Sequence, residues 1–148
     1  SGSLQIVADA AIADCVGRDW AAIACPGGED GAERLCDCAV LTELLRRQRK
    51  TGGVVAAIGE SPAVIFAEHQ ILQFDEKATG SPTARFRKRV NSCCAGWWDA
   101  EVVADRRVIT SQGPGTALHC ALKIVQVLYG ADKSRALASQ LLTAWVPH

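Results

Sequence analysis

Three times in this 148-residue chain a short apolar run stops at a glycine-rich turn and restarts as a helical pattern. The turns are "CPGGEDG" from Cys25, "IGESPA" from Ile58 and "TSQGPGT" from Thr110. The runs before the first two, "WAAIAC" (20–25) and "GVVAAI" (53–58), are continuous rather than alternating in polarity. Strands of that kind are buried on both faces, which points to a parallel sheet covered by helices on either side.

The rest of the chain fills in that plan. "LQIVAD" (4–9) is expected to be a further strand, and "AEVVADRRVITSQ" two short strands around Asp105–Arg106. "AERLCDCAVLTELLRRQRKTG" (32–52) predicts one helix, with cations crowding its last turns and Gly52 as its stop. "SPAVIFAEH" predicts a short helix with Pro62 in the first turn. "GPGTALHCALKIVQVLYG" opens on Pro114 and closes at Gly130, and "KSRALASQLLTAW" is a last helix. Residues 73 to 100 carry the weakest pattern. There is no internal repeat or linker, so one domain over 1–148 is expected.

Bulk properties exclude several classes. A formal net charge of zero gives no support to a polyanion partner. No apolar run approaches the roughly 20 residues of a membrane span, and no secretory signal pattern opens the chain, so a cytoplasmic location is the expectation. Seven cysteines, several inside apolar segments, fit reduced thiols packed as small hydrophobes better than a disulfide framework.

Ligands bind at the carboxyl ends of strands in open parallel sheets, where all three glycine-rich turns lie. Backbone N–H groups at helix starts favour anions and can form an oxyanion hole. None of the turns matches a dinucleotide or mononucleotide phosphate loop, and no cofactor is expected.

"AIACPGGEDGAERL", "GGVVAAIGESPAVI" and "VITSQGPGTALHCALKIV" resemble, in order and spacing, the ThiJ/PfpI superfamily, that is, the Parkinsonism-associated deglycase family. "TGSPT", "TSQGPGTA" and "ASQLL" are similar to its YajL-type branch. The resemblance implies an α/β flavodoxin-like fold, related to class I glutamine amidotransferases: a three-layer sandwich around a mainly parallel sheet. It also implies a homodimer, and glyoxalase III or deglycase chemistry on methylglyoxal and glycated products, with peptidases among the relatives.

Three departures from the family pattern bear on function. The family implies a low-pKa nucleophilic cysteine at the elbow; this chain has Gly59 there, followed by Glu60 where a small residue is usual. The backbone N–H groups of Gly28 and Glu60 are the implied oxyanion hole, with Gly27, Ser61, Pro62, Ser81, Gly113 and Pro114 around the pocket. A carboxylate at Glu60 would oppose an oxyanion there, and a general-base role for it is the weaker alternative. Ser81 stands where many relatives carry a histidine, and the strand, helix and strand that open the family domain, roughly fifty residues, have no counterpart here. The missing strand would be central, so two unpaired strand edges and a noncovalently held N-terminal fragment of the same protein are expected.

Several residues have plainer readings. Cys36, Cys38, His119 and Cys120 do not make a metal site, because Cys-x-Cys in a helix points its thiols to different faces. Cys93–Cys94 is expected to be an exposed loop pair, with a redox-active pair the weaker alternative, and Cys25 inert packing, with a secondary reactive thiol the weaker alternative. His119 is expected to be satisfied or solvent-facing; His69 and His148 do not replace the missing histidine. "ARFRKRV" is expected to be a solvated edge rather than a nucleic-acid site. Trp97–Trp98 fits core, dimer contact or pocket wall equally. Without sulfur at position 59 the chain is expected to be a non-catalytic stress-response protein, a chaperone or scaffold with unfolded-protein clients. Small-aldehyde detoxification is the alternative if the native residue is cysteine.

Overall fold

The computed structural model describes residues 5–145. Four strands form one contiguous sheet: β1 (Ala22–Cys25), β2 (Val54–Ile58), β3 (Val102–Asp105) and β4 (Val108–Ser111), in the order β1-β2-β4-β3. β1, β2 and β4 are parallel, with Ala24 opposite Ala56 and Ala56 opposite Ile109. β3 returns antiparallel to β4 through a tight turn in which Arg106 adopts φ 54°. The sheet is the mainly parallel one expected, with a short antiparallel edge.

Successive residues of a strand face opposite sides of the sheet, and β2 uses both. Val55 and Ala57 pack under α1 (Glu29–Cys36), α2 (Ala39–Lys50) and a π-helical turn at Pro62–Phe66, in a core holding Leu45, Ile65 and Phe66. Val54 and Ala56 face the other way, with Ile109, against Cys120 and Ile124 of α4 (Ala117–Tyr129). Gly130, at φ 90°, ends α4 and starts α5 (Ala131–Gln140). The Ser134 hydroxyl of α5 donates to Leu122 O at 2.8 Å and ties the two helices together. These are the three layers of a flavodoxin-like sandwich.

Three expectations need correction. "LQIVAD" is not a strand: residues 5–9 lie outside the sheet, with Ile6 and Val7 83% and 88% exposed, and Leu4 lies outside the described residues. An apolar run becomes a strand only where a neighbour satisfies its backbone groups, and none is at hand. The helix over 32–52 is two. It starts earlier, at Glu29, and breaks at Asp37–Cys38, where Cys38 is extended (φ −84°, ψ 97°). The change of axis lets Ala32 of α1 and Leu41 and Leu45 of α2 reach the same core. The last helix ends at Gln140, short of Trp145. Among the described strands β1 forms one edge of the sheet and β3 the other.

The weakly patterned middle holds α3 (Ala84–Asn91), whose Phe86 and Val90, four apart, turn inward. Three of its four cations are engaged on the surface. Arg85 pairs with Glu29 at 2.5 Å, Arg89 pairs with Glu68, and Arg87 lies 4.3 Å from the Trp97 ring centre.

Candidate functional site

The elbow forms where β2 ends. Gly59 takes φ 67°, a left-handed conformation that costs glycine little, and its N–H donates to Ser111 O at 2.9 Å. Its carbonyl accepts the Ser81 N–H at 2.7 Å. The "PGG" loop closes over this turn so tightly that a Cβ on Gly27 would sit 2.8 Å from Ile58 O and 3.1 Å from Glu60 Oε2. A Cβ on Gly59 would meet nothing nearer than Gly27 Cα at 3.5 Å. The elbow therefore has room for a side chain and carries none.

Ser61 is fully buried, and its hydroxyl donates to Pro26 O, fastening elbow to loop. On the third turn, Gly113 N–H donates to Thr116 Oγ1 at 3.1 Å, and the Ser111 and Thr116 hydroxyls share a hydrogen bond at 2.6 Å. Because Ser111 O accepts from Gly59, the Gly113–Pro114 turn begins two residues from the elbow. Gly27, Gly28, Ser61, Pro62 and Ser81 are thus brought around position 59.

The Glu60 side chain folds back toward the "PGG" loop. Its Oε2 accepts the Gly28 N–H at 2.8 Å. Gly28 is at φ 96° at the start of α1, a backbone shape that costs glycine little. The Gly28 amide, which the family resemblance implies as an oxyanion-hole donor, is therefore engaged by the chain's own Glu60 side chain. A substrate oxyanion at that point would have to displace it.

The histidines lie elsewhere. His119 Nδ1 is 2.8 Å from Glu101 Oε2. His69 Nε2 is 2.8 Å from Cys36 O and 3.4 Å from Cys36 Sγ. His148 falls outside the described residues. Cys36 Sγ also donates to Val64 O at 3.1 Å, and burial, with nearby Glu68 and Asp37, holds its pKa up. Burial lifts Cys25 to about 12, and it lifts Cys120 to about 11 against a lowering hydrogen bond with Ser111. A thiol so raised is protonated and inert, as packing implies. Among the described residues no group of three or more His, Cys, Asp and Glu side chains could hold a metal. One further feature has no local signal: Glu76, fully buried, accepts from Arg49 at 2.6 Å.

The sequence profile of the DJ-1/PfpI family matches residues 1–127. The chain belongs to the DJ-1/PfpI family. A glutathione-independent glyoxalase of Caenorhabditis elegans, DJR-1.2, is 39% identical to it over 140 residues, which cover 95% of this chain and 72% of that protein. Oxidized DJ-1 of Toxoplasma gondii superposes with a TM-score of 0.88 at 36% identity, over 95% of this chain and 73% of that one. DJ-1beta of Drosophila melanogaster superposes equally well, at 32% identity, over 96% of this chain and 74% of its own. The family's fold is therefore that of this chain, while its elbow carries glycine followed by an inward-turned carboxylate.

Proposed function

We propose that this chain is a non-catalytic DJ-1/PfpI-family stress-response protein, acting as a chaperone or scaffold. One observation carries the proposal: Gly59 offers no nucleophile, and Glu60 Oε2 sits on the Gly28 amide that would otherwise stabilise an oxyanion. Without sulfur no thiohemiacetal forms at the elbow, and a fixed carboxylate there repels developing negative charge.

The surface suits a binding role. An open apolar groove runs beside β1 between Ala24, Ala57, Ala121 and Ile124, with a volume near 260 Å³. Leu118 and Tyr129 lie exposed on α4, and Phe74 and Trp98 are exposed elsewhere. Apolar surface of this kind binds other apolar surfaces, whether of unfolded clients or of a second copy. A cytoplasmic homodimer is part of the same proposal. The outer edge of β1 carries no partner strand among the described residues, and it suits a strand from an N-terminal part of the same protein. Denaturing mass spectrometry of material from its natural source would find that part as a co-purifying polypeptide, and a lone 15.7 kDa species would contradict it.

Light scattering tests the binding role. A thermally denatured client should aggregate more slowly in the presence of the chain, in proportion to its concentration. Unchanged aggregation would contradict chaperone action. The alternative, glyoxalase III or deglycase detoxification of methylglyoxal and glycated products, is favoured by the similarity to DJR-1.2 and requires a cysteine at position 59.

A further inference from the structure

Cys93 and Cys94 follow α3 in a turn, half-buried against the core beside Trp97. Three donors converge there on the Val90 carbonyl oxygen: the Cys93 backbone N–H at 3.1 Å, the Cys93 thiol at 3.3 Å and the Cys94 thiol at 3.1 Å. A carbonyl has two lone pairs, so one donor exceeds its capacity. The backbone N–H cannot rotate away, which leaves the thiols to redistribute their protons. Gly96 O, at 3.6 Å from Cys94 Sγ, is a long second acceptor, and the neighbouring sulfur is the other.

The turn that brings the sulfurs together is built, not incidental. Ala95 N–H donates to the carbonyl of Glu76 at 2.8 Å, and Trp97 N–H donates to Asn91 Oδ1 at 2.5 Å. The two thiols differ in consequence. The hydrogen bond with Cys93 lowers Cys94 to about 7; burial and the Glu76 charge oppose that shift, and the Gly96 backbone assists it. Cys93 is pushed up, first by the same hydrogen bond and then by burial. One sulfur is available as thiolate beside another that keeps its proton, the arrangement of an attacking and a resolving thiol.

We propose that Cys93–Cys94 is a redox-active dithiol, oxidised by hydroperoxides to a vicinal disulfide. The Cys94 thiolate attacks one oxygen of the hydroperoxide, the O–O bond breaks, and the departing alkoxide takes the proton of the Cys93 thiol. The Cys93 thiolate then attacks the Cys94 sulfenic sulfur. The S–S bond forms as the S–O bond breaks, and the hydroxide released takes a proton from solvent, replacing the one Cys94 lost. Two thiols and one hydroperoxide become one disulfide, one alcohol and one water. Adjacent Cα atoms are about 3.8 Å apart, below the usual ~4.4–6.8 Å of a disulfide, so this bond is strained and easily reduced. It is a reversible mark, and it requires nothing of the elbow.

The test uses the intact chain and a stoichiometric amount of hydrogen peroxide. Trypsin releases residues 90–106, in which Cys93 and Cys94 are the only cysteines. That peptide should lose two hydrogens, before the other cysteines change, and regain them with dithiothreitol. Cys93→Ser should halt at a Cys94 sulfenic acid that dimedone traps. Cys94→Ser should oxidise at residue 93 more slowly than the unaltered pair by roughly tenfold or more, since the remaining thiol keeps its proton. A peptide that stays reduced while other cysteines oxidise would overturn the proposal. So would equal oxidation rates for Cys94→Ser and the unaltered chain.

Discussion

The Glu60 carboxylate accepts the Gly28 backbone N–H at 2.8 Å, closing the elbow with the chain's own charge. The contact joins two of the three glycine-rich turns, and under the proposed function it occupies an oxyanion-hole donor. On the proposed reading, position 59 lacks the nucleophile and Glu60 separately occupies the Gly28 amide that would stabilise what a nucleophile would make. A single substitution therefore should not restore full chemistry.

Position 59 should accept a side chain at modest cost. The Cβ has ordinary contacts, with its nearest neighbour at 3.5 Å, but φ 67° is unfavourable for any residue except glycine. Gly59→Cys is expected to fold and to lose about 1–3 kcal/mol, measured by urea denaturation.

Gly27 should accept none. Its Cβ would sit 2.8 Å from the Ile58 carbonyl, a backbone atom that cannot swing aside. Gly27→Ala is expected to cost about 1–3 kcal/mol and to displace the Glu60 side chain. The urea midpoint and the Gly28 amide shift in NMR read the two effects separately.

The buried pair Arg49–Glu76 is a stability element away from the elbow. Glu76 is fully buried, takes Arg49 at 2.6 Å and the Gln73 N–H at 2.9 Å, and has Arg106 farther off at 3.9 Å. Arg49→Met removes the nearest countercharge of Glu76, leaving the Gln73 N–H and the more distant Arg106, and is expected to cost about 3 kcal/mol. Adding Glu76→Gln should recover much of that loss, because the charge goes with its partner.

Thiol reactivity should separate by pH. The thiolate is the reacting form, so a lowered pKa brings reactivity to lower pH and a raised one removes it. Iodoacetamide labelling of Cys94 should rise as pH passes about 7. Cys25 and Cys120, lifted to about 12 and 11, should stay unlabelled in the folded protein at neutral pH. Peptide mapping after timed labelling distinguishes them, and early labelling of Cys25 would contradict its inertness.

Local pattern disclosed the elements that repeat a local rule. β2, β4 and α4 could be read because an apolar run, a glycine turn and a proline sit in adjacent positions, and Gly130 does stop α4 at φ 90°. The break at Asp37–Cys38 could not, because the apolar period runs straight through it and only packing of Ala32 and Leu41 on one core bends the axis. α3 was hidden by its charge: four cations mask the inward pair Phe86 and Val90. "LQIVAD" misled in the opposite way, since its pattern is strand-like and its backbone finds no ladder.

The candidate site divides along the same line. The glycine-rich turns followed from local pattern, whereas the roles of Gly59 and Gly28 came only from the family resemblance. The direction of the Glu60 side chain did not, because its partner is 32 residues away. Nor did the convergence of Cys93 and Cys94 on Val90 O, which depends on how the chain leaves α3.

Methylglyoxal turnover by three chains tests the central claim most directly: the unaltered chain, Gly59→Cys, and Gly59→Cys with Glu60→Ala. The unaltered chain should consume methylglyoxal no faster than buffer. The cysteine variant should be weakly active, and the double variant faster by about a hundredfold, the usual worth of a freed oxyanion donor. Turnover by the unaltered chain, or equal rates for the two cysteine variants, would contradict an elbow that is both disarmed and occupied.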